Sequence, residues 1–118
     1  MSAEHTAAGL DVHPARVAEW LEQDPGLQLV DVREPDEREA GHIEGSRHIE
    51  LVRLAAEVGT LERERPLVFY CRVGSRSEMA AQAFRAEGFQ AFSMAGGLLR
   101  WAQEGHPLSP ADGHVADH

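Results

Sequence analysis

The sequence contains no lysine and a single cysteine. All 11 strong cations among its 118 residues are therefore arginines. One cysteine, Cys71, can form neither an internal disulfide nor a multi-cysteine metal site. A catalytic thiol at this position would have no resolving partner within the chain, so any acceptor must come from outside.

Long hydrophobic runs are also absent. Runs such as residues 66–71 are far shorter than the roughly 20 apolar residues of a membrane span. Residues 1–9 have neither the basic start nor the apolar stretch of a signal peptide, so we expect a cytoplasmic protein with no membrane partner. The formal net charge of -9 disfavours nucleic acid as a partner.

The remaining composition suits one globular domain, because 42% of the residues are hydrophobic and the length permits a single core. We expect this domain over residues 10–107, with flexible ends at residues 1–9 and 108–118. Apolar runs predict strands that alternate with amphipathic helices, which favours an α/β fold with a largely parallel sheet. The predicted strands are residues 9–12, 27–32, 46–50, 66–70 and 89–94.

Cys71 directly follows the most apolar of these strands, Pro66–Tyr70, whose continuous hydrophobic run is typical of a central strand covered on both faces. Ligands of parallel α/β sheets bind at the carboxyl ends of the strands. The cysteine therefore lies where such a fold places its chemistry.

The residues after Cys71 form a short loop that leads into a helix. Inward-facing backbone N–H groups of residues 72–76 and the positive end of the helix would form an anion-binding cradle around the sulfur. Gly74 permits a positive φ, and Arg72 and Arg76 add two permanent charges. These features favour the thiolate over the thiol, and they argue against an inert, packed cysteine. We expect the loop to be exposed.

The run Cys71–Ser77, CRVGSRS, resembles the C-R-x-G-x-R-S active-site loop of the single-domain rhodaneses, which are sulfurtransferases. Other stretches resemble further landmarks of that family, in the same order. These are Leu29–Glu34, Gly41–Ile43 with Gly45, and Gly96–Gly97 with Trp101 and Gly105. The resemblance runs from about Leu10 to Pro107. It implies a rhodanese-like three-layer fold, in which a mostly parallel sheet of about five strands carries helices on both faces.

The resemblance also implies the activity of a thiosulfate sulfurtransferase. The thiolate of Cys71 would take sulfur from a donor such as thiosulfate and hold it as a persulfide. An external acceptor would then remove it: cyanide, a thiol, or the cysteine of a partner protein. No cofactor and no metal are expected. The substrate-binding loop implied by the resemblance consists of Arg72, Val73, Gly74, Ser75 and Arg76.

Three residues are expected to support this loop. Asp31 and Arg33 end a strand whose carboxyl end should lie near it, so Asp31 could brace the loop or Arg76, with Arg33 in the same ion-pair network. A structural pair unrelated to catalysis is the alternative. Ser77 closes the loop motif.

Two residues depart from the family pattern. Glu44 stands in Gly-His-Ile-Glu-Gly, where the family usually has proline, and Glu50 stands where proline often follows Ile49. Both place the local turn geometry in question but lie outside the loop.

Two other functions stay open. A phosphatase or arsenate reductase of the related fold uses a Cys-x5-Arg loop, whereas here Ser77 occupies the sixth position after Cys71 and arginine comes one residue earlier. The second alternative is a rhodanese-like sulfur relay or interaction module for one dedicated partner.

Overall fold

The computed structural model describes residues 9–117, so the expected flexible N-terminus lies outside the described residues except for Gly9. The strands are β1 (Asp11–Val12), β2 (Gln28–Asp31), β3 (Arg47–His48), β4 (Leu67–Tyr70) and β5 (Ala91–Met94). The α-helices are α1 (Pro14–Gln23), α2 (Pro35–Ala40), α3 (Leu54–Glu57), α4 (Ser75–Ala86) and α5 (Gly97–Gln103), and 3-10 turns cover Leu51–Arg53 and Val58–Thr60. Within the described part of the chain, no helix is long and apolar enough to cross a bilayer.

The five strands form one sheet in the order β1-β5-β4-β2-β3, and every pairing is parallel. The strand β4 lies between β2 and β5, where both of its edges are hydrogen-bonded. This position explains its continuous apolar run, and the predicted α/β fold with a parallel sheet is confirmed.

The side chains of β4 alternate between two hydrophobic cores. Leu67 and Phe69 belong to the core under α4, and Cys71 continues their direction. Val68 and Tyr70 face the opposite core under α1 and α5. Both faces of the sheet are therefore covered by helices, as the three-layer arrangement requires.

The last described segment, residues 109–117, lies against the domain. Ser109 and His42 exchange backbone hydrogen bonds of 2.7 and 3.0 Å, and the His114 amide donates to the Ala40 carbonyl at 2.9 Å. The sequence contains no periodic pattern here, because the pairing partner lies far away along the chain. The contacts do not measure motion, so the flexibility of the tail stays a prediction.

Candidate active site

The loop after β4 turns sharply at Gly74 and enters α4. Gly74 has φ +109° and is the N-cap of the helix, so Ser75 occupies the first helical position. The Ser75–Glu78 pair therefore does not form a capping box, although its spacing would suit one. Instead, the amide of Glu78 donates to the Gly74 carbonyl at 2.9 Å as the first intrahelical bond.

Two backbone amides point at the sulfur of Cys71. The Gly74 N–H donates to Sγ at 3.1 Å and the Ser77 N–H at 3.4 Å. Ser77 lies in the first turn of α4, where amides have no intrahelical acceptor. The cradle predicted from the sequence therefore forms with two amides at the sulfur, one of which, Ser77, lies just beyond the expected range of residues 72–76.

The thiol itself is buried: Cys71 is 0% exposed. The exposure expected of the loop does not extend to the cysteine, because the Cys71 side chain follows the alternation of β4 into the core under α4. Exposure is found instead on the neighbouring loop residues, with Val73 at 46%. The sulfur is therefore out of contact with solvent in this conformation.

Helix α5 braces the loop from the other side. The amide of Leu98 donates to the Cys71 carbonyl at 2.8 Å, and that of Leu99 donates to the Arg72 carbonyl at 3.0 Å. Gly97 allows this approach, because its φ is +63° and a Cβ there would overlap the Arg72 carbonyl and come within 2.7 Å of the Cys71 carbonyl oxygen. Gly97 is thus needed where the helix and loop backbones meet.

Arg76 is bound to a carboxylate that the sequence did not single out. Its Nη1 and Nη2 donate to the two oxygens of Glu37 at 2.8 and 2.9 Å. Glu37 is 1% exposed, and although burial alone would raise its pKa, the hydrogen bonds from Arg76 and the Glu34 amide lower the pKa of Glu37 to about 2. The hydrogen bonds to Glu37 raise the pKa of Arg76, although burial would lower it, and the charges of Glu37 and the nearby Cys71 add to the rise.

Asp31 and Arg33 form a buried pair behind the loop. Arg33 donates to Asp31 through Nε at 2.9 Å and Nη2 at 2.8 Å, and Arg38 reaches the same carboxylate at 3.3 Å. Burial would lower the pKa of Arg33, but the hydrogen bonds and charge of Asp31 raise it. Asp31 therefore pairs with Arg33 as expected, but its second partner is Arg38 and not Arg76.

The Arg33 guanidinium is incompletely satisfied. Its Nη2 also donates to the Gly41 carbonyl at 2.7 Å, whereas its buried Nη1 has no hydrogen-bond partner among the described residues. A fully buried cation is held here mainly by one carboxylate and one carbonyl. This arrangement supports the strand ends and does not contact the sulfur.

Arg72 points away from the sulfur and towards the tail. Its Nε donates to the carbonyl of Ala116 at 3.0 Å, and its Nη2 lies 3.4 Å from the carboxylate of Asp117. The structure thus separates the two arginines of the loop. Arg76 lies near Cys71, and Arg72 anchors the last described residues.

A pair of buried hydroxyls lies beside the sulfur. The hydroxyl oxygen of Ser77 lies 3.6 Å from the Cys71 Sγ and 2.7 Å from the hydroxyl oxygen of Ser93. Ser93 belongs to β5 and was not among the residues chosen from the sequence. A serine within the apolar strand Ala91–Met94 was the only signal that could have drawn attention to it.

The sequence pattern around Glu37 predicts only local structure. Glu37 is the third residue of α2, and together with the N-cap Glu34 it forms a capping box. That spacing predicts a helix start but not a partner on α4.

The two family prolines are replaced without loss of the turns. The turn containing Glu44 is closed by a 3.1 Å hydrogen bond from the Ser46 amide to the Ile43 carbonyl. Glu50 precedes a 3-10 turn in which its carbonyl accepts from the Arg53 amide at 2.8 Å.

Among residues 9–117, no three side chains of His, Cys, Asp or Glu lie together in a way that could hold a metal.

Comparison with known proteins places this geometry in a family. Residues 13–104 match the family described as Rhodanese-like domain. The chain is 36% identical over 102 residues to the thiosulfate sulfurtransferase GlpE of Pseudomonas aeruginosa, covering 86% of this chain and 87% of that protein. It is 33% identical over 108 residues to the probable adenylyltransferase/sulfurtransferase MoeZ of Mycobacterium tuberculosis, covering 89% of this chain but only 28% of MoeZ.

A solved structure agrees with the sequence comparisons. A rhodanese-related protein from Thermoplasma volcanium superposes with a TM-score of 0.76 at 28% identity, covering 83% of this chain and 95% of that one. The residues matched by the family model include Cys71, the loop that follows it and strands β2 to β5. The chain belongs to the rhodanese-like domain family, whose relatives include named sulfurtransferases.

Proposed function

We propose that this protein transfers sulfane sulfur through a persulfide on Cys71, with thiosulfate as a donor it can use. The observation that carries the proposal is the pair of amides, from Gly74 and Ser77, directed at one sulfur at the start of a 12-residue helix. N–H groups and the helix dipole stabilise an anionic sulfur at this position. Similarity to GlpE, a thiosulfate sulfurtransferase, supports the choice of donor.

The first step forms one S–S bond and breaks another. The Cys71 thiolate attacks the outer sulfur of thiosulfate, and the S–S bond of the donor breaks with its electron pair leaving on sulfite. The enzyme keeps a persulfide whose outer sulfur is anionic. No proton is transferred, so no general base is required, and the two amides stabilise negative charge before and after the step.

Within the substrate-binding loop, Arg76 is the residue we assign to the sulfonate end of the donor. An arginine has five N–H donors, and the bidentate bond to Glu37 uses two, which leaves three for an oxyanion. Glu37 holds the guanidinium in one orientation, so little side-chain entropy is lost when the donor binds. Val73 and Ser75 are exposed and form the outer part of the loop.

The buried sulfur requires that this loop open. Val73 is the exposed apolar residue of the segment, and Gly74 beside it has the least restricted backbone. We propose that residues 73–75 move to admit the donor and close again over the persulfide. Closure would exclude water from a reactive sulfur.

In the second step a thiophilic acceptor attacks the outer sulfur, and the Cys71 thiolate leaves. Cyanide or a small thiol can serve, and we include a protein cysteine as an acceptor. The match to this chain covers 28% of MoeZ, which is a probable adenylyltransferase/sulfurtransferase. The presence of a similar domain within that longer protein supports a role in sulfur relay. A cytoplasmic location with reduced thiols available is part of the same proposal.

The deciding experiment is intact-mass measurement after incubation with thiosulfate. We expect the protein to gain the mass of one sulfur atom, and Cys71→Ser to gain none while keeping its fold, since a serine hydroxyl can still accept from Gly74 and Ser77. Loading of Cys71→Ser, or a wild-type protein that never loads, would refute the mechanism.

A phosphate-ester substrate provides the test against the phosphatase alternative. Both amides converge on the sulfur itself, and Arg76 comes five residues after Cys71, which makes a smaller cradle than the phosphatase loop. Turnover of a phosphate ester comparable to that of thiosulfate would favour the phosphatase.

A further inference from the structure

We propose that Ser93 is a positioning residue that acts through Ser77 to stabilise the anionic sulfur of Cys71. The inference rests on the proposed function, because it assigns a role in forming the thiolate and holding the persulfide. Ser93 belongs to β5 and does not touch the sulfur. It is the second hydroxyl in a chain of three groups that runs from Cys71 through Ser77 to Ser93.

The geometry leaves Ser93 one partner. Its side chain is 1% exposed, and its hydroxyl oxygen lies 2.7 Å from that of Ser77. Among the described residues, no other hydrogen-bond partner is found for this hydroxyl. A buried O–H without an acceptor is costly, so the Ser93 proton is directed at Ser77.

The hydrogen bond from Ser93 limits where the Ser77 hydroxyl can direct its own proton. The Ser77 hydroxyl has one proton and two possible acceptors, the Gly74 carbonyl at 3.1 Å and the Cys71 sulfur at 3.6 Å. Since Ser93 donates to the Ser77 oxygen, Ser77 cannot direct its own proton back at Ser93. That proton must go either to the carbonyl or to the sulfur.

The charge on the sulfur selects between these two positions. While Cys71 is a thiol, Ser77 can donate to the Gly74 carbonyl and accept the thiol proton. When Cys71 is a thiolate or persulfide, the sulfur becomes the stronger acceptor and the Ser77 proton rotates to it. The Gly74 carbonyl keeps a partner, because the Glu78 amide donates to it at 2.9 Å. The switch therefore leaves no buried group unsatisfied.

The donation from Ser93 strengthens the bond from Ser77 to the anion. A hydroxyl that accepts a hydrogen bond becomes a better donor, and the effect is larger in a site without water. Without Ser93, the oxygen of Ser77 would lose its buried donor in the thiolate state, whereas in the thiol state the Cys71 proton could replace it. Loss of Ser93 should thus disfavour the thiolate selectively.

Replacing Ser77 or Ser93 does not alter the charged groups around the sulfur. Arg76 of α4, bound to Glu37 of α2, is the cation that interacts with Cys71. Arg72 is bound to the tail, and Asp31 pairs with Arg33 behind β2. The strand β5 contributes no titratable side chain, and α5 contributes Arg100, which pairs with Glu104. A change caused by Ser93 is therefore a hydrogen-bond effect.

The test is a thiolate titration by ultraviolet absorbance, which needs no access to the buried sulfur. The chain has one cysteine, so the signal has one source, and Cys71→Ser supplies the blank. Burial raises the pKa of Tyr70, the only tyrosine, well above its usual range, so tyrosinate absorbance does not overlap. We compare wild type with Ser93→Ala, Ser77→Ala and the double variant.

We expect Ser93→Ala to raise the midpoint pH of thiolate formation by about 0.5 unit or more, since it weakens one charge-assisted hydrogen bond. Ser77→Ala should raise it at least as much, and the double variant no further, because Ser93 acts only through Ser77. Ser93→Thr keeps the hydroxyl and should restore the wild-type midpoint. An unchanged midpoint in Ser93→Ala, or shifts that add in the double variant, would overturn the inference.

The controls separate this result from folding and from the proposed function. Ser46→Ala removes a hydroxyl bound to Tyr70 on the other side of the sheet and should not shift the midpoint. The double variant removes both hydroxyl partners, so it should fold even if Ser93→Ala does not. If the midpoint shifts as expected but thiosulfate never loads sulfur, the proposed function fails while the hydrogen-bond chain stands. If sulfur loads but the midpoint is unchanged, only the role of Ser93 fails.

Discussion

Glu37 holds Arg76 by two parallel hydrogen bonds of 2.8 and 2.9 Å across 39 residues of sequence. The carboxylate is almost fully buried, whereas the arginine side chain is 29% exposed. The pair thus links α2 to the start of α4 and holds the Arg76 guanidinium in one orientation, where it interacts electrostatically with Cys71. We expect these two residues to contribute both to stability and to donor use.

Substitution of Arg76 should affect folding and donor use together. Arg76→Ala leaves the Glu37 carboxylate buried without a cation, so we expect a loss of about 2 kcal/mol or more in the free energy of unfolding. Arg76→Lys keeps a charge but loses the bidentate contact, and should raise the half-saturating thiosulfate concentration roughly 10-fold with a smaller loss of stability. Urea denaturation and donor-dependence measurements give both quantities.

Arg16→Ala is the matched control for these arginine variants. Arg16 pairs with Glu19 on the exposed surface of α1, on the other side of the sheet, and its loss should change stability by less than about 1 kcal/mol. An Arg76→Lys protein with an unaltered donor dependence would show that Arg76 does not contact the donor.

The Glu37 carboxylate should make stability depend on pH in the acid range. Its pKa is about 2 in the folded protein and 4.5 as the ordinary value. The pKa is lowered on folding, so this contribution is fully present above pH 4.5 and is lost as the pH falls through about 2. The expected loss is on the order of 3 kcal/mol. Urea unfolding at a series of pH values measures it.

Glu37→Gln removes the titrating group and should give a flatter acid profile than wild type, from a lower starting stability. If both proteins lost stability in parallel between pH 4.5 and 2, other carboxylates would be responsible.

Gly97→Ala should disturb the loop after Cys71, which the start of α5 contacts directly. The new Cβ would overlap the Arg72 carbonyl and require a strained positive φ, so we expect a loss of about 2 kcal/mol or more in stability. Sulfur loading of Cys71 should fall as well, because its carbonyl is bound to α5. Gly59→Ala is the control, since a Cβ there meets nothing within 4 Å. Equal behaviour of the two variants would show that the close approach is not needed.

Asp117→Asn should strengthen donor binding slightly. The carboxylate lies 3.4 Å from Arg72 and is fully exposed, so its removal frees one positive charge of the loop. We expect the half-saturating thiosulfate concentration to fall by up to about 3-fold at low salt and to be unchanged at high salt. The same change at both ionic strengths would argue against an electrostatic origin.

Much of the architecture could be predicted from the sequence because its signals are local. The apolar run of β4, the proline at the start of α1 and the glycine after α2 act within a few residues of themselves. The position of Cys71 at the carboxyl end of a central strand follows from that run. The loop motif after it identified the family, and the amides of Gly74 and Ser77 meet the sulfur because the loop is short.

Tertiary structure decided the partners and the burial. The sequence spacing of Glu37 and Arg76, or of Ser77 and Ser93, carries no information about their contact, since each pair joins different elements across the sheet end. Burial of Cys71 likewise depends on how α4 covers the face to which β4 points. Local hydrogen bonding and periodicity specify which elements form, but the packing of those elements determines which side chains meet and whether water reaches them.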